Sequence, residues 1–221
     1  MREVVLDTET TGLSHADGHR VVEVGCVELM NCIPTGRTFH KYVNPERYMP
    51  SEAQRVHGLT TEFLAKHKLF ADIAEELMEF IDGARLVIHN AEFDLGFLNM
   101  ELGRADRPPI AAEVIDTVRV ARRKFPGAPA SLDALCERFG IDKSAREKHG
   151  ALLDSQLLAE VYLELVGGRQ TALSLSAAAA AQTVAVVERP VRPPRPHTAS
   201  AEELAAHAAF LAKIKEPIWA S

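Results

Sequence analysis

The chain has 221 residues, of which 47% are hydrophobic and 25% are charged, a composition typical of a folded protein with one main domain. Its formal net charge of −6 argues against a protein that binds a phosphate backbone tightly without help, because such binding normally uses lysine and arginine. Cys26, Cys32 and Cys136 have neither a zinc-site nor a disulfide spacing, and no apolar run predicts a signal peptide or a membrane span, so we expect a cytoplasmic protein with reduced thiols.

The first predicted strand, residues 3–7, is followed at once by an unusual pair of acids. Side chains alternate between the two faces of a strand, so Asp7 and Glu9 point to the same side. Two like charges this close are costly inside a folded domain unless a cation or a shared proton lies between them. The spacing therefore predicts a divalent metal site, although a lone Asp-x-Glu is more often an ordinary strand end with solvated acids.

The remaining pattern predicts an α/β fold with a mixed five-stranded sheet flanked by helices. Further strands are predicted at about 20–30, about 36–43, 86–89 and 114–116. Helices are predicted for a short segment that ends at Gly58, with Ser51 as its N-cap, and at 70–81, about 93–102, 117–124, 132–139 and 151–166.

The character of the sequence changes after residue 168. Residues 169–199 combine an alanine run with a stretch rich in proline and arginine, which predicts a flexible linker. Residues 200–215 are again helical in pattern, and Ser200 with Glu203 forms a capping box. We therefore expect a catalytic domain at 1–168 and a C-terminal docking segment at 200–221, because a lone helix cannot bury its own apolar stripe.

Two later motifs add to the metal-site hypothesis. Asp94 follows the predicted strand 86–89 in VIHNAEFD, and His149 precedes Asp154 by five residues in HGALLD. Four acids at strand ends or helix starts, with one histidine, predict a metal site beside a general base. Ligands that are all oxygen favour Mg²⁺ or Mn²⁺ over zinc.

The segments DTETTG, VIHNAEFD, SLDALC and HGALLDSQLLAEVYLELVGG together resemble the DEDDh family of 3′–5′ exonucleases, whose fold is ribonuclease H-like. The resemblance covers residues 1 to about 168 and is closest to members that proofread for a bacterial replicative DNA polymerase. It implies that Asp7, Glu9 and Asp154 bind two Mg²⁺ or Mn²⁺ ions directly. It further implies that Asp94 completes the site and that His149 is the general base.

The resemblance also implies how substrate DNA with a single-stranded or frayed 3′ end is held. Glu52 would bond the sugar hydroxyl of the terminal nucleotide and His57 would lie beside that nucleotide. Val56 and Leu13 would wedge between bases. The metal ligands Asp7, Glu9 and Asp154 would also contact the substrate.

The tail resembles segments that bind other replication proteins, which implies work at the nucleoid. The segment QTALSL at 170–175 is similar to a sliding-clamp (beta) motif, through Gln170, Leu173 and Leu175. Residues 200–221 are similar to a segment that docks on the polymerase alpha subunit, through Leu204, Leu211, Ile214 and Trp219. A small third core subunit is a further implied partner.

Two alternatives follow from the same residues. One is a free-standing DEDDh exonuclease that acts on RNA or repair intermediates, and the other is a non-enzymatic scaffold, which the intact motifs disfavour. A basic cluster also has two interpretations, as a track for a DNA backbone or as a solvated helix face. Its members are Arg119, Arg122, Arg123 and Lys124.

Overall fold

The computed structural model describes residues 1–144, 148–167 and 198–215. They belong to two units, the first containing 1–144 and 148–167 and the second containing 198–215, and each unit is described by itself. Within these ranges, no helix has the length and apolar character needed to cross a membrane.

The first unit is built on a mixed sheet of five strands, as the sequence predicts. The strands are β1 (Arg2–Thr10), β2 (Val21–Met30), β3 (Ile33–Tyr42), β4 (Arg85–Ile88) and β5 (Val114–Asp116). Their order in the sheet is β3-β2-β1-β4-β5. Strands β1, β2 and β3 pair antiparallel, whereas β1, β4 and β5 pair parallel. The carboxyl ends of β1, β4 and β5 therefore meet at one edge of the sheet, where ligands commonly bind.

Helices flank this sheet and connect its strands. They are α1 (Ser51–His57), α2 (Thr61–Leu64), α3 (Phe70–Ile81), α4 (Ala91–Arg104), α5 (Thr117–Lys124), α6 (Leu132–Phe139) and α7 (Ala151–Val166). A 3-10 turn, His15–Asp17, lies between β1 and β2. The second unit contributes α8 (Ala201–Leu211).

The alternation of side chains along β1 divides the core between two faces of the sheet. Val4 and Leu6 pack among apolar residues of α3 and α4, whereas Val5 packs among those of α5, α6 and α7. The Asp7 side chain points to the same face of the sheet as that of Val5, because the two residues are two positions apart in the strand. The first acid of the motif therefore lies on the face that α7 covers.

Several element boundaries differ from the prediction for local reasons. Ser51 is not the N-cap of α1, because the extended Pro50 precedes the helix and Ser51 is its first residue. Helix α4 begins at Ala91, earlier than predicted, because Asn90 adopts a left-handed φ of 68° that turns the chain sharply. The C-terminal helix α8 ends at Leu211, so Ile214 lies beyond it. Helix α2 was not predicted, since four residues are too few for a helical period.

Candidate active site

The four predicted acids converge at the carboxyl edge of the parallel strands. Asp7 and Glu9 come from the end of β1, Asp154 from the first turn of α7, and Asp94 from the start of α4. The Asp94 carboxylate accepts hydrogen bonds from the backbone N–H of Thr8, at 3.0 Å, and from the Thr8 hydroxyl, at 2.7 Å. Thr8 therefore fixes Asp94 against the strand, between the two acids of the first motif.

Burial and mutual repulsion make this cluster unfavourable for negative charge. Burial raises the pKa of Asp7 well above its ordinary value, and the charges of Asp94, Glu9 and Asp154 raise it further. Burial also raises the pKa of Asp94 to about 7, although the hydrogen bonds from Thr8 oppose the shift. Such a group of buried carboxylates is what a bound cation stabilises, and its oxygen ligands fit a hard divalent ion.

His149 lies beside these acids at the start of α7. Its Nδ1 is 3.3 Å from Asp154 Oδ2, and its side chain is 47% exposed. One ligand atom each from Glu9, His149 and Asp154 lie within 4.8 Å of one another. The His149 backbone N–H donates to the carbonyl of Val56 at 3.2 Å, so the loop that carries the imidazole rests on α1. This imidazole is close to the acids yet accessible to water.

A cavity of about 540 Å³ opens beside Glu9. All four residues predicted to hold a terminal nucleotide line it, namely Leu13, Glu52, Val56 and His57. Leu13 is 88% exposed and Val56 is 47% exposed. Apolar side chains that stay this exposed at a cavity rim are suited to stack against a planar ligand.

His57 presents a buried donor in this cavity. Its Nδ1 accepts a hydrogen bond from the backbone N–H of Leu59 at 3.0 Å, so Nε2 carries the proton of the neutral ring. Burial lowers the pKa of His57, while the nearby carbonyl of Thr10 opposes the shift. In the described part of the chain, Nε2 has no hydrogen-bond partner of ordinary geometry.

Gly25 lets α7 approach the sheet closely enough to place Asp154. Gly25 lies opposite Asp7 in the pairing of β1 with β2. A Cβ atom at this position would lie 2.2 Å from the backbone carbonyl carbon of Ala151. The Ser155 hydroxyl donates to the Gly25 carbonyl at 2.9 Å and fastens the helix there.

Sequence reasoning missed three contributors to the site. Thr8 and Gly25 act through contacts that strand alternation alone does not reveal. The third is Glu23, a buried acid opposite Glu9 in the sheet, whose charge raises the pKa of Asp7. His40 Nε2 lies 2.7 Å from the Glu23 carboxylate. From the sequence, Glu23 could have been identified only by predicting how β2 pairs with β1.

The predicted tail residues fall partly outside the described residues, which exclude Gln170, Leu173, Leu175 and Trp219 together with the linker up to residue 197. In the second unit, Ser200 and Glu203 form the expected capping box at the start of α8. Leu204 is exposed on this helix, and Leu211 is its last residue.

Comparison with known proteins agrees with this geometry. A family model described as "Exonuclease" (RNase_T) matches residues 4–162, so the first unit is an exonuclease domain. Similar solved structures include Exonuclease X with 5′ overhanging duplex DNA (24% identity, TM-score 0.59, 74% of this chain and 90% of that chain). Another is the DEDDh nuclease domain of 3′hExo bound to rAMP (21% identity, TM-score 0.64, 75% and 91%). At these identities the likeness concerns the fold, and it confirms the predicted ribonuclease H-like architecture.

Curated relatives show which family of exonucleases the chain belongs to. DNA polymerase III subunit epsilon of Rickettsia conorii is 54% identical over 179 residues, which is 79% of this chain and 78% of the relative. The same subunit of Escherichia coli K12 is 45% identical over 229 residues, covering 97% of this chain and 94% of the relative. The chain belongs to the DNA polymerase III epsilon subunit family of exonucleases. The prediction of a proofreading 3′–5′ exonuclease is thereby confirmed.

Replacing Gly25 with alanine is expected to displace the start of α7 and with it Asp154. We expect a loss of about 1–3 kcal/mol in unfolding free energy, typical of overpacking. We also expect kcat to fall by on the order of 10²-fold, because small misplacements of reacting groups are costly. Denaturant unfolding and oligonucleotide hydrolysis measure the two effects.

Gly103→Ala is the matched control, because a Cβ atom there meets open space near the end of α4. It should leave activity close to wild type and raise the unfolding free energy by up to about 1 kcal/mol, because alanine is the better helix former. If Gly25→Ala behaved like this control, the close approach at Gly25 would have no role in placing the site.

Proposed function

We propose that this chain excises mispaired 3′-terminal nucleotides from DNA as a subunit of the polymerase III assembly, and that it works at the nucleoid in the cytoplasm. The observation that carries this proposal is the convergence of four carboxylates, two with raised pKa values, beside an accessible imidazole and a cavity of about 540 Å³. A cavity of this size suits one nucleotide.

Two Mg²⁺ or Mn²⁺ ions would be held by Asp7, Glu9 and Asp154, with Asp94 completing the site. When bound, the ions would neutralise the cluster and supply Lewis acidity to the attacking water and the leaving 3′-oxygen. The support is the chemistry of the donors, which are buried carboxylates whose charges repel one another.

His149 would accept a proton from the attacking water. Its 47% exposure gives water access, and the contact of Nδ1 with the Asp154 carboxylate orients the ring. The hydrogen bond from the His149 backbone to Val56 then couples the base to the wall of the nucleotide cavity. A nucleotide seated against α1 would be positioned together with the base that acts on it.

The terminal nucleotide would be held mainly by groups that do not read its base. His57 would lie beside it, Glu52 would bond the sugar hydroxyl, and Leu13 and Val56 would stack at the rim. A paired end must first separate from its complement to enter such a cavity, and a mismatched end separates at lower cost. Selection of mispaired ends would follow from this difference.

Partner binding would compensate for the acidic character of the chain. With a net charge of −6, the protein gains more from tethering, which raises the local concentration of DNA ends, than from its own attraction to phosphate. Residues 200–221 would dock on the polymerase alpha subunit, since Leu204 and Phe210 stay exposed on α8. The motif of Gln170, Leu173 and Leu175 would bind the sliding clamp, and a small third subunit would complete the core.

Deletion of residues 200–221 tests the assembly part of this proposal. Hydrolysis of a short single-stranded oligonucleotide should be unchanged, whereas co-elution with the polymerase alpha subunit at micromolar concentration should be lost, because the exposed apolar side chains of α8, Leu204 and Phe210, are then missing. Gel filtration of the mixed proteins and a mismatch-excision assay provide the measurements.

Gln170→Ala with Leu173→Ala is the companion variant, which should keep polymerase binding and weaken only the clamp contact. Persistent co-elution of the truncated protein would contradict docking through the tail. That result would place the polymerase contact on another part of the chain. If the full-length chain itself did not co-elute with the alpha subunit, a free-standing exonuclease that acts on RNA or repair intermediates would be favoured.

A further inference from the structure

Helix α5 begins at the same edge of the sheet as the catalytic carboxylates. Its first residue, Thr117, places its hydroxyl 2.9 Å from His89 Nδ1, and the nearby charge of Asp154 acts on the pKa of His89. Because β1, β4 and β5 run parallel, the end of β5 and the start of α5 lie beside the ends of β1 and β4. Helix α5 therefore begins beside the site on the side of β4 and β5. It then runs away from the carboxylates, and its last turn lies beside the end of α7, where Lys124 contacts the carbonyls of Glu164 and Leu165.

The nucleotide cavity lies on the other side of the carboxylates. Its lining comes from β1, the β1–β2 connection, α1 and Phe93. Helix α1 is placed near β2, because its Ala53 packs against the cluster of Val22, Met49 and Leu64. If the terminal nucleotide occupies this cavity and the scissile phosphate lies at the carboxylates, the rest of the strand must leave in a direction away from the cavity. The side of β4 and β5 is one such direction, and a strand that follows α5 would reach Arg122 and Arg123 several nucleotides upstream of the scissile bond.

The exposed face of α5 is basic. Arg119, Arg122 and Arg123 are spaced three and four residues apart, so they share one face, and all three are exposed. Arg119 is 81% exposed and makes a long contact of 3.7 Å with Asp116. The same Asp116 carboxylate caps α5 by accepting from the backbone N–H groups of Val118 and Arg119.

The charges of Arg122 and Arg123 remain available to a ligand. In the portion of the chain that the structure describes, no ion pair involves either of them. Lys124, the fourth cation of the cluster, is used differently, since its Nζ donates to the carbonyls of Glu164 and Leu165 at the end of α7. Lys124 therefore has a structural role, whereas Arg119, Arg122 and Arg123 are exposed to solvent.

We propose that the face of Arg119, Arg122 and Arg123 binds the phosphodiester backbone of single-stranded DNA on the 5′ side of the scissile bond. The inference rests on the proposed function, because it takes the carboxylates as the place of cleavage. A local basic face on a chain of net charge −6 is the electrostatic pattern expected of a backbone contact. Of the two interpretations of the basic cluster, a track for a DNA backbone or a solvated helix face, this proposal selects the first for three of the four residues.

The test compares two substrates in the full chain and in the double variant Arg122→Gln/Arg123→Gln. One substrate is a single-stranded oligonucleotide of roughly ten residues, a length suited to a backbone-tracking groove. The other is an aryl ester of thymidine 5′-monophosphate, which has no chain on the 5′ side. The ratio of kcat/KM for the oligonucleotide to that for the ester should fall about tenfold at low salt. The slope of log kcat/KM against log salt should lose roughly 0.7 per phosphate contact removed.

The matched control is Arg37→Gln/Arg107→Gln, which removes two exposed cations that pair with Glu28 and Glu75 elsewhere on the domain. It should keep the wild-type ratio and salt slope. If Arg122→Gln/Arg123→Gln matched this control, the inference would be overturned while the proposed function stood. If the wild-type protein cleaved neither substrate with Mg²⁺ or Mn²⁺ present, the proposed function itself would fail.

Discussion

Asp7→Ala is expected to lower hydrolysis by on the order of 10³-fold or more and, at the same time, to stabilise the metal-free protein. Asp7 lies where the charges of Asp94, Glu9 and Asp154 act together, and burial adds to their effect on its pKa. Removing this carboxylate relieves repulsion in the folded state but removes a ligand from the site. Opposite changes in activity and stability are expected when a residue serves function at a cost to folding.

The stabilisation should depend on pH in a defined direction. The pKa of Asp94 is raised to about 7 and that of Asp7 is also raised, whereas an aspartate in the unfolded chain titrates near ~4. The folded protein therefore binds protons that the unfolded chain has released. The contribution of these two carboxyls to the stability of the metal-free protein should therefore be fully present below about pH 4 and be lost as the pH rises through about 7. The advantage of Asp7→Ala should be largest near pH ~8 and small near pH ~4.

Thermal unfolding of EDTA-treated protein across this pH range measures the effect. Mg²⁺ or Mn²⁺ should then raise the Tm of wild type more than that of Asp7→Ala, because the variant lacks a ligand. Glu79→Ala, which removes an exposed carboxylate from α3, should alter neither activity nor the pH dependence. Undiminished cleavage by wild-type protein in EDTA would end the two-metal account.

The features that the sequence predicted well are those encoded locally. The apolar period of residues 70–81 and the glycine after residue 139 fixed the bounds of α3 and α6, and both match the structure. The alternation of β1 placed Asp7 and Glu9 on one face without knowledge of any partner. Local patterns of this kind depend on a few neighbouring residues, so one sequence is enough to read them.

The features that the sequence did not predict depend on distant partners. The hydrogen bonds from Thr8 join residues that are 86 positions apart, and the one from Ser155 to Gly25 joins residues 130 apart. Glu23 becomes part of the site only through the register of β2 against β1. The contacts that hold the clustered acids in place are therefore a property of the packed fold, and no periodicity in the sequence predicts them.

His149→Ala is expected to lower kcat by roughly 10²–10⁴-fold while leaving the fold and the metal affinity almost unchanged. The side chain is half exposed and contacts Asp154 at 3.3 Å, so its removal opens no cavity in the core. The effect should fall on proton transfer alone. Steady-state kinetics, thermal unfolding and Mn²⁺ titration of the same preparation separate these three quantities.

The pH–rate profile distinguishes a general base from a residue that merely supports the loop. The acid limb of the wild-type profile should disappear in His149→Ala, because that limb reports protonation of the base. His67→Ala is the control, since His67 packs against the rings of Tyr42 and Phe63 on a different part of the domain. It should keep the acid limb. If His149→Ala retained a wild-type profile with only a lower rate, the imidazole would hold the loop on α1, and the proton would have to leave the attacking water by another route.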